Sequence, residues 1–180
     1  DTINRPVVTY SDVRWPMTQT GTNLFGLVKH VATNELEYFG EVFDRPSNIP
    51  LPWSEEGAEL NADMWATADE SRSDIVALYQ QATQHADTTI AELPLDAPGR
   101  VPWWPPEREH VTLQQIMVHM TVEVARHAGH ADIIRELIDG AAGDNDGNLP
   151  DQTTQQWATY RLRLEHAATE AAERVEAARP

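Results

Sequence analysis

The sequence predicts an all-α fold, a bundle of four helices joined by long irregular crossover loops. Three observations predict it: helical periodicity in four long segments, few strand signals, and two connections rich in proline and tryptophan. A chain of 180 residues can bury a sizeable core, so we expect a single domain over residues 1–180. The 41% of hydrophobic and 23% of charged residues are typical of a folded globular protein.

Four segments repeat apolar residues at the spacing of an amphipathic helix. They run over about residues 23–43, 69–93, 112–140 and 153–178. Arg45-Pro46 should end the first segment, and Gly140 suits the position that follows the third. The connections over residues 47–64 and 96–110 are rich in proline and tryptophan, which indicates irregular loops between long helices.

A third connection, Gly143-Asp144-Asn145-Asp146-Gly147-Asn148, resembles a calcium-binding loop. An EF-hand loop needs an acidic residue five positions before its glycine, where this chain has Ala142, and it needs a distal glutamate that is missing. We therefore predict an acidic turn and no calcium site.

Charge and residue usage exclude several classes of partner and chemistry. The net charge is −16 with only 13 Lys and Arg, which argues against nucleic acids and anionic membranes as partners. No apolar run reaches the roughly 18 residues of a membrane span, and the first residues do not resemble a signal peptide. The sequence thus predicts a cytoplasmic protein. Because there is no cysteine, any metal site must use His, Asp or Glu.

The segment Glu123-Val-Ala-Arg-His127 is the most informative, because it places a carboxylate and an imidazole on the apolar side of the third helix. A buried carboxylate is costly unless it is neutralised, paired or bound to a metal. Residues i and i+4 lie about 6 Å apart, close enough to bind one ion. The alternative is a hydrogen-bonded core pair, with Arg126 or Arg135 nearby. His119 and His130 flank the pair and could orient it or act in acid–base catalysis.

A third ligand would have to come from another helix, and His30 is the only histidine of the first. Periodicity alone does not favour it. The apolar residues of this helix centre on another side, and His30 projects nearer to Asn34, Glu37 and Glu41. An exposed histidine is therefore the alternative to a ligand. A site made of imidazoles and a carboxylate would suit Zn²⁺, Ni²⁺ or Fe²⁺.

The run from His119 to His130 resembles the metal-binding signature of the DinB family, in which histidines recur at four-residue intervals. Glu123 stands where the signature has its middle histidine, as in the actinobacterial mycothiol-dependent branch that includes maleylpyruvate isomerase. The resemblance extends through residues 23–31 and 130–140 and covers most of residues 14–140. It implies a four-helix bundle that holds one divalent ion, Zn²⁺ before Ni²⁺ or Fe²⁺, on His30, Glu123 and His127.

The chain departs from the family pattern at its start. The family begins with a full helix before the metal-bearing one, whereas only 13 residues precede Arg14-Trp15-Pro16 and Arg5-Pro6 interrupts them. We therefore expect the first family helix to be short or missing.

The resemblance implies a metal-dependent thiol transferase, in which mycothiol bound to the ion attacks an electrophilic small molecule. The acceptor would bind beside loops that include Trp53, Trp103 and Trp104, although buried indoles also commonly anchor long loops. Two alternatives remain: a non-catalytic, stress-associated metal-binding bundle, and a metal-dependent hydrolase with His119 or His130 as general base. Amphipathic helices pair readily, so a homodimer is compatible with the sequence.

Overall fold

The computed structural model describes residues 13–140 and 150–179. It contains four α-helices: α1 (Leu24–Phe39), α2 (Arg72–Glu92), α3 (Leu113–Asp139) and α4 (Thr154–Ala177). The described residues also form the strands β1 (Pro98–Arg100) and β2 (His110–Thr112) and two 3₁₀ turns, Glu41–Phe43 and Ala62–Met64. The prediction of a mostly α-helical, DinB-like fold is confirmed, with one small two-stranded sheet added to it.

Polar side chains fix where the helices begin. The Asn23 side chain accepts a hydrogen bond from the Gly26 amide at 2.8 Å, which satisfies one of the free donors at the start of α1. Each of the other three helices begins with a reciprocal capping box, built by Ser71 and Asp74, Thr112 and Gln115, and Thr153 and Gln156. Gly140 ends α3 in a left-handed conformation with φ 72°, which glycine adopts without strain.

The first helix is shorter than predicted. The α-helical segment ends at Phe39, and after Gly40 the chain tightens into the 3₁₀ turn of Glu41–Phe43. Val42 and Phe43 are nevertheless buried, because the tighter turn still directs them into the core. The apolar pattern of the sequence therefore continues beyond the last residue of the helix.

Helix α1 is the centre of the first unit, since it packs against both α2 and α3. One core cluster joins the end of α1, the strands and the start of α3, and a smaller one joins α1 to α2. Their members include Tyr38, Phe39, Phe43, Val101, Leu113, Ile116 and Met120 in the first, and Leu36 and Leu78 in the second. The strands pair antiparallel with Gly99 opposite Val111, which fixes the long loop between them beside the core.

The contacts of the chain separate into two units, Asp1–Ala142 and Gly143–Pro180. Helix α4 belongs to the second unit, where it has no buried residue and carries surface ion pairs such as Arg161–Glu165. Whether residues 1–180 form one domain stays a prediction. The predicted acidic turn lies outside the described residues, as does the predicted first family helix, except that Val13 and Arg14 are helical. No described helix is long and apolar enough to span a bilayer.

Candidate functional site

Two of the three predicted ligands meet across helices α1 and α3. The imidazole rings of His30 and His127 have their centroids 4.8 Å apart and are inclined by 75°. One turn before His127 on α3, the Glu123 Oε2 atom lies 3.5 Å from the His127 Nε2 atom. The packing of α3 on α1 thus brings His30, Glu123 and His127 into one neighbourhood, although the apolar periodicity of α1 did not indicate that His30 would face this way.

His30 has a polar partner on each ring nitrogen. Its Nδ1 lies 2.5 Å from the Asp63 carboxylate, and its Nε2 lies 3.0 Å from the Asn34 amide nitrogen. An amide nitrogen can only donate, so Nε2 accepts and the ring proton is on Nδ1. The hydrogen bond from His30 holds the pKa of the Asp63 carboxyl below its usual range, against the opposing effect of burial. Asp63 therefore acts as the acceptor of a charge-assisted hydrogen bond.

Asp63 comes from a loop segment, residues 62–70, which we call the strap because it crosses α1. The side chain of Asn23 donates to the Met64 carbonyl at 3.3 Å. Arg14 donates to the Ala66 carbonyl at 3.0 Å and also contacts the carbonyls of Thr67 and Glu70. These bonds satisfy strap carbonyls that its irregular backbone leaves unpaired, and they fix the strap at the start of α1.

The strap approaches α1 so closely that the helix has glycine beneath it. A Cβ atom on Gly26 would lie 1.6 Å from the Met64 carbonyl oxygen and 2.4 Å from its carbon, both of which are backbone atoms that cannot rotate away. Only a residue without a side chain allows this contact. Gly26 is therefore a requirement for the position of Asp63, one residue before Met64.

Lys29 secures the far end of the strap from inside the protein. Its side chain is 2% exposed, and its ammonium lies 2.8 Å from the Glu70 carboxylate, 3.1 Å from the Trp65 carbonyl and 3.8 Å from the centre of the Trp53 ring. Burial alone would raise the pKa of Glu70, but the bonds from Lys29 and the Thr67 amide lower it below its usual range. The buried ammonium is thus fully compensated.

His127 has far fewer partners than His30. It is 9% exposed, and its Nδ1 atom is buried without a hydrogen-bond partner among the described residues. Burial, followed by the proximity of His30, lowers its pKa, and the nearby Glu123 carboxylate opposes this only in part. The ring is therefore neutral at pH 7, which is the form that binds metal ions. The alternative of a hydrogen-bonded core pair is met only loosely, since the Glu123 and His127 side chains are 3.5 Å apart, while Arg126 lies 3.3 Å from the other oxygen of Glu123.

The two flanking histidines lie in different surroundings. The His130 ring is exposed and lies 5.4 Å from the His127 ring. His119 packs instead against Tyr38 and Trp104, at ring distances of 4.8 and 5.0 Å. Within residues 13–140 and 150–179, the imidazole of His119 has no hydrogen-bond partner. Only His130 of the two touches a predicted ligand.

The tryptophans singled out in the sequence anchor their loops. The indole nitrogens of Trp103 and Trp104 both donate to the Tyr38 hydroxyl, at 3.3 and 3.1 Å, while the Trp53 indole donates to Thr33 at 2.9 Å. Trp103 nevertheless keeps 45% of its surface exposed. Together with Tyr38 and His119, the pair of tryptophans forms an aromatic cluster one helical turn from Glu123.

The arrangement fits a shared metal ion in residue type and ring spacing. Two imidazoles bound to one tetrahedral ion, with metal–nitrogen bonds of about 2 Å, have ring centres about 5 Å apart, close to the 4.8 Å between His30 and His127. The Nδ1 atom of His127 is buried without a partner, and Glu123 lies beside the other ring nitrogen, Nε2, which is the one that an ion shared with Glu123 would use. However, no three His, Asp or Glu side chains in the described part of the chain are grouped as metal ligands. The Nε2 lone pair of His30 is engaged by Asn34.

These features define a class: helical proteins with a histidine and carboxylate site between two long helices. The chain matches the mycothiol S-transferase family over residues 8–140 and belongs to that family. The match confirms the resemblance to the mycothiol-dependent branch of DinB-like proteins, and it indicates mycothiol S-transfer as the general activity, with a small-molecule thiol as partner. No curated protein and no solved structure matches the chain.

The sequence did not indicate the residues that support His30. Asp63 lies 33 positions from His30 in a loop without periodicity, so no spacing rule connects them. Asn34, one turn from His30, was on the predicted face but was not assigned a role. Lys29 gave one signal, a cation beside apolar residues within an amphipathic helix.

Proposed function

We propose that the protein is a divalent-metal-dependent thiol transferase that uses mycothiol to attack an electrophilic small molecule. The contact between the His30 and His127 rings, with Glu123 one turn away, carries the proposal in a chain of this family. His30, Glu123 and His127 would hold the ion, with Zn²⁺ as the first candidate and Ni²⁺ or Fe²⁺ as alternatives. When bound, such an ion lowers the pKa of a coordinated thiol and makes it nucleophilic near neutral pH.

The protein side chains support this chemistry in distinct ways. His127 is kept neutral by burial, so no proton has to leave it before it can bind an ion. The Glu123 carboxylate supplies negative charge that partly balances a divalent cation. His130, which is exposed and contacts the His127 ring, is placed to carry a proton from the thiol to solvent.

The aromatic cluster is the proposed position of the electrophilic acceptor. Trp103 is partly exposed, and its indole N–H already donates to Tyr38. Its ring can therefore make apolar contacts with a ligand without leaving a hydrogen-bond donor unsatisfied. His119 completes the cluster from the helix that carries Glu123. An acceptor held there would lie near His119, which precedes Glu123 on α3 by one helical turn of about 5.4 Å.

The test begins with metal analysis of protein purified without added metal. We expect about one equivalent of ion, by analogy with single-ion sites of three protein ligands, and mycothiol transfer to a generic electrophile. Less than half an equivalent, with no binding of added Zn²⁺ or Ni²⁺, would refute the metal site. Hydrolysis of the electrophile without mycothiol would instead identify a hydrolase.

Two histidine variants locate the site. His127→Ala should abolish tight metal binding and thiol transfer, because it removes a ligand from α3. The matched control is His166→Ala, whose ring is 72% exposed on α4, and it should bind metal as the wild type does. Equal behaviour of the two variants would mean that the ion binds elsewhere.

A further inference from the structure

We infer that Asp63 is the positioning residue of His30, fixing the imidazole in the Nδ1–H tautomer, in which Nε2 carries the lone pair that a ligand would need. The inference rests on the proposed function, in which His30 binds the ion. The orientation of the His30 ring in the metal-free protein, however, follows from two contacts: Nδ1 to Asp63 at 2.5 Å and Nε2 to Asn34 at 3.0 Å. A carboxylate on one nitrogen of a histidine commonly sets which nitrogen stays free for a metal.

The backbone of Asp63 is held by contacts that do not involve the His30 side chain, and this makes Asp63 suited to orient that ring. Asp63 lies in the 3₁₀ turn of Ala62–Met64, which begins after Asn61 in a left-handed conformation with φ 61°. The next residue of the strap, Met64, lies against Gly26, and the strap is bonded to Asn23 and Lys29 beyond it. The carboxylate is therefore fixed from its own backbone and limits the rotation of the His30 ring.

Asn34 occupies the Nε2 lone pair of His30, so its expected effect on ligand binding is opposite to that of Asp63. Its amide donates to the same Nε2 atom that a ligand would need, so it stabilises the ring in the free protein and competes with an incoming ion. Asp63 should strengthen metal binding, and Asn34 should weaken it. Two residues that contact one imidazole thus have opposite expected effects, which a general loss of stability cannot reproduce.

The first experiment measures the tautomer of His30 by nitrogen-15 NMR of the metal-free, full-length protein. We expect the Nδ1–H tautomer in the wild type and a mixture of both tautomers in Asp63→Ala. Asp63→Asn retains an acceptor oxygen without the charge, so it should keep the Nδ1–H tautomer. Asp69→Asn, an exposed aspartate of the same strap, is the control and should match the wild type.

The second experiment measures Zn²⁺ affinity by competition with a chromophoric chelator. Asp63→Ala should bind about 10- to 100-fold more weakly, the usual cost of losing a partner that orients a metal ligand. Asp63→Asn should fall between it and the wild type, and Asn34→Ala should bind at least as tightly as the wild type. Circular dichroism and thermal unfolding of each variant separate these effects from loss of folding.

The outcomes distinguish this inference from the proposed function. An unchanged tautomer in Asp63→Ala would overturn the inference, and so would equal losses of affinity in Asp63→Ala and Asp69→Asn. If Asp63→Ala does not fold, a Zn²⁺ affinity of folded Asp63→Asn equal to that of the wild type would overturn it as well. A tautomer that depends on Asp63 in a wild type that binds no Zn²⁺ would support the positioning role and refute the metal-dependent function.

Discussion

The two histidines that face each other across α1 and α3 are held in opposite ways. His30 lies on the polar side of its helix, yet both of its nitrogens have partners, from Asp63 on the strap and Asn34 on α1. His127 lies on the apolar side of α3, where its Nδ1 is buried without a partner and its Nε2 has one contact of 3.5 Å. One imidazole is thus preorganised by polar bonds, and the other has hydrogen-bonding capacity that remains unmet.

The two imidazoles therefore contribute differently to the free energy of folding, because one has polar partners and the other has a buried nitrogen without one. A side chain with both nitrogens bonded contributes to folding, whereas a buried nitrogen without a partner opposes it by about 1–3 kcal/mol. Natural proteins keep such groups rarely, and often where a ligand later satisfies them. The Nδ1 atom of His127 is therefore the costly group of the site, whereas an ion shared with Glu123 would bind at the other ring nitrogen, Nε2.

On the His30 side of the site, displacement of the strap should cause the largest loss of stability. Gly26→Ala places a Cβ atom 1.6 Å from the Met64 oxygen, so helix and strap must separate, and we expect a loss of about 3 kcal/mol or more in the free energy of unfolding. Urea unfolding measures it. The matched control is Gly129→Ala on α3, where a Cβ atom meets nothing within 4 Å and alanine should stabilise the helix by about 0.5–1 kcal/mol. If Gly26→Ala and Gly129→Ala change the free energy of unfolding by similar amounts, the strap does not lie on Gly26.

Replacement of His30 by leucine should destabilise the metal-free protein by about 2 kcal/mol, because it leaves the partly buried Asp63 carboxylate without its donor. The measurement is urea unfolding in the presence of a chelator. Asp63→Leu in the same background removes the second partner as well, so the double variant should lose less than the sum of the single losses. Strict additivity would contradict the direct coupling of these two residues.

Glu70→Gln tests the strap at its other end. It removes the charge that compensates buried Lys29, and we expect a loss of about 1–2 kcal/mol at pH 7, less than for a fully buried pair. The pKa of Glu70 is lowered in the folded state, so its contribution is present above its ordinary value of 4.5 and disappears as the pH falls through the folded pKa. The two proteins should therefore become equally stable in acid.

A surface pair provides the control for Glu70. Glu92 contacts Arg45 but is 58% exposed, so Glu92→Gln should change stability by less than about 0.5 kcal/mol at any pH. Chemical unfolding over a series of pH values from 7 downward compares both variants with the wild type. If Glu70→Gln remains less stable in acid, its effect comes from lost packing and not from lost charge.

The smallest expected effect has the opposite sign. His127→Leu removes the buried, unpartnered nitrogen and keeps a similar volume, so it should stabilise the metal-free protein by about 1 kcal/mol. The same variant should lose metal binding, which would separate stability from function at one residue. Thermal unfolding with a chelator measures the gain, and His166→Leu on the exposed helix α4 should show none. A destabilised His127→Leu would mean that the imidazole has a partner after all.

The sequence predicted those parts of the molecule that local rules determine. Thr112 with Gln115 and Gly140 delimit α3 within one residue of the prediction, because caps and glycine act over a single turn. The end of α1 was missed, since Val42 and Phe43 continue the apolar pattern through a 3₁₀ turn. Periodicity records which residues are buried, and it does not distinguish an α-helix from a tighter turn over three residues.

The candidate site shows the same limit more clearly. The i, i+4 spacing of Glu123 and His127 could be read directly, because one helix sets it. For His30, apolar periodicity pointed away from the site, and only the family resemblance indicated it. Its partner Asp63 belongs to an irregular loop without apolar periodicity, and a hydrophobic pattern contains no information about where such a loop contacts α1.

The burial of Lys29 also determines how the protein itself would react with the compounds it is proposed to process. Lys29 is the only lysine of the chain, which has no cysteine, and its amine is enclosed by Glu70, Trp53 and the Trp65 carbonyl. Electrophiles that alkylate proteins react mainly with thiolates and with unprotonated amines. The described surface offers neither a cysteine thiol nor a lysine amine, so a transferase that collects such molecules would be spared inactivation through these groups.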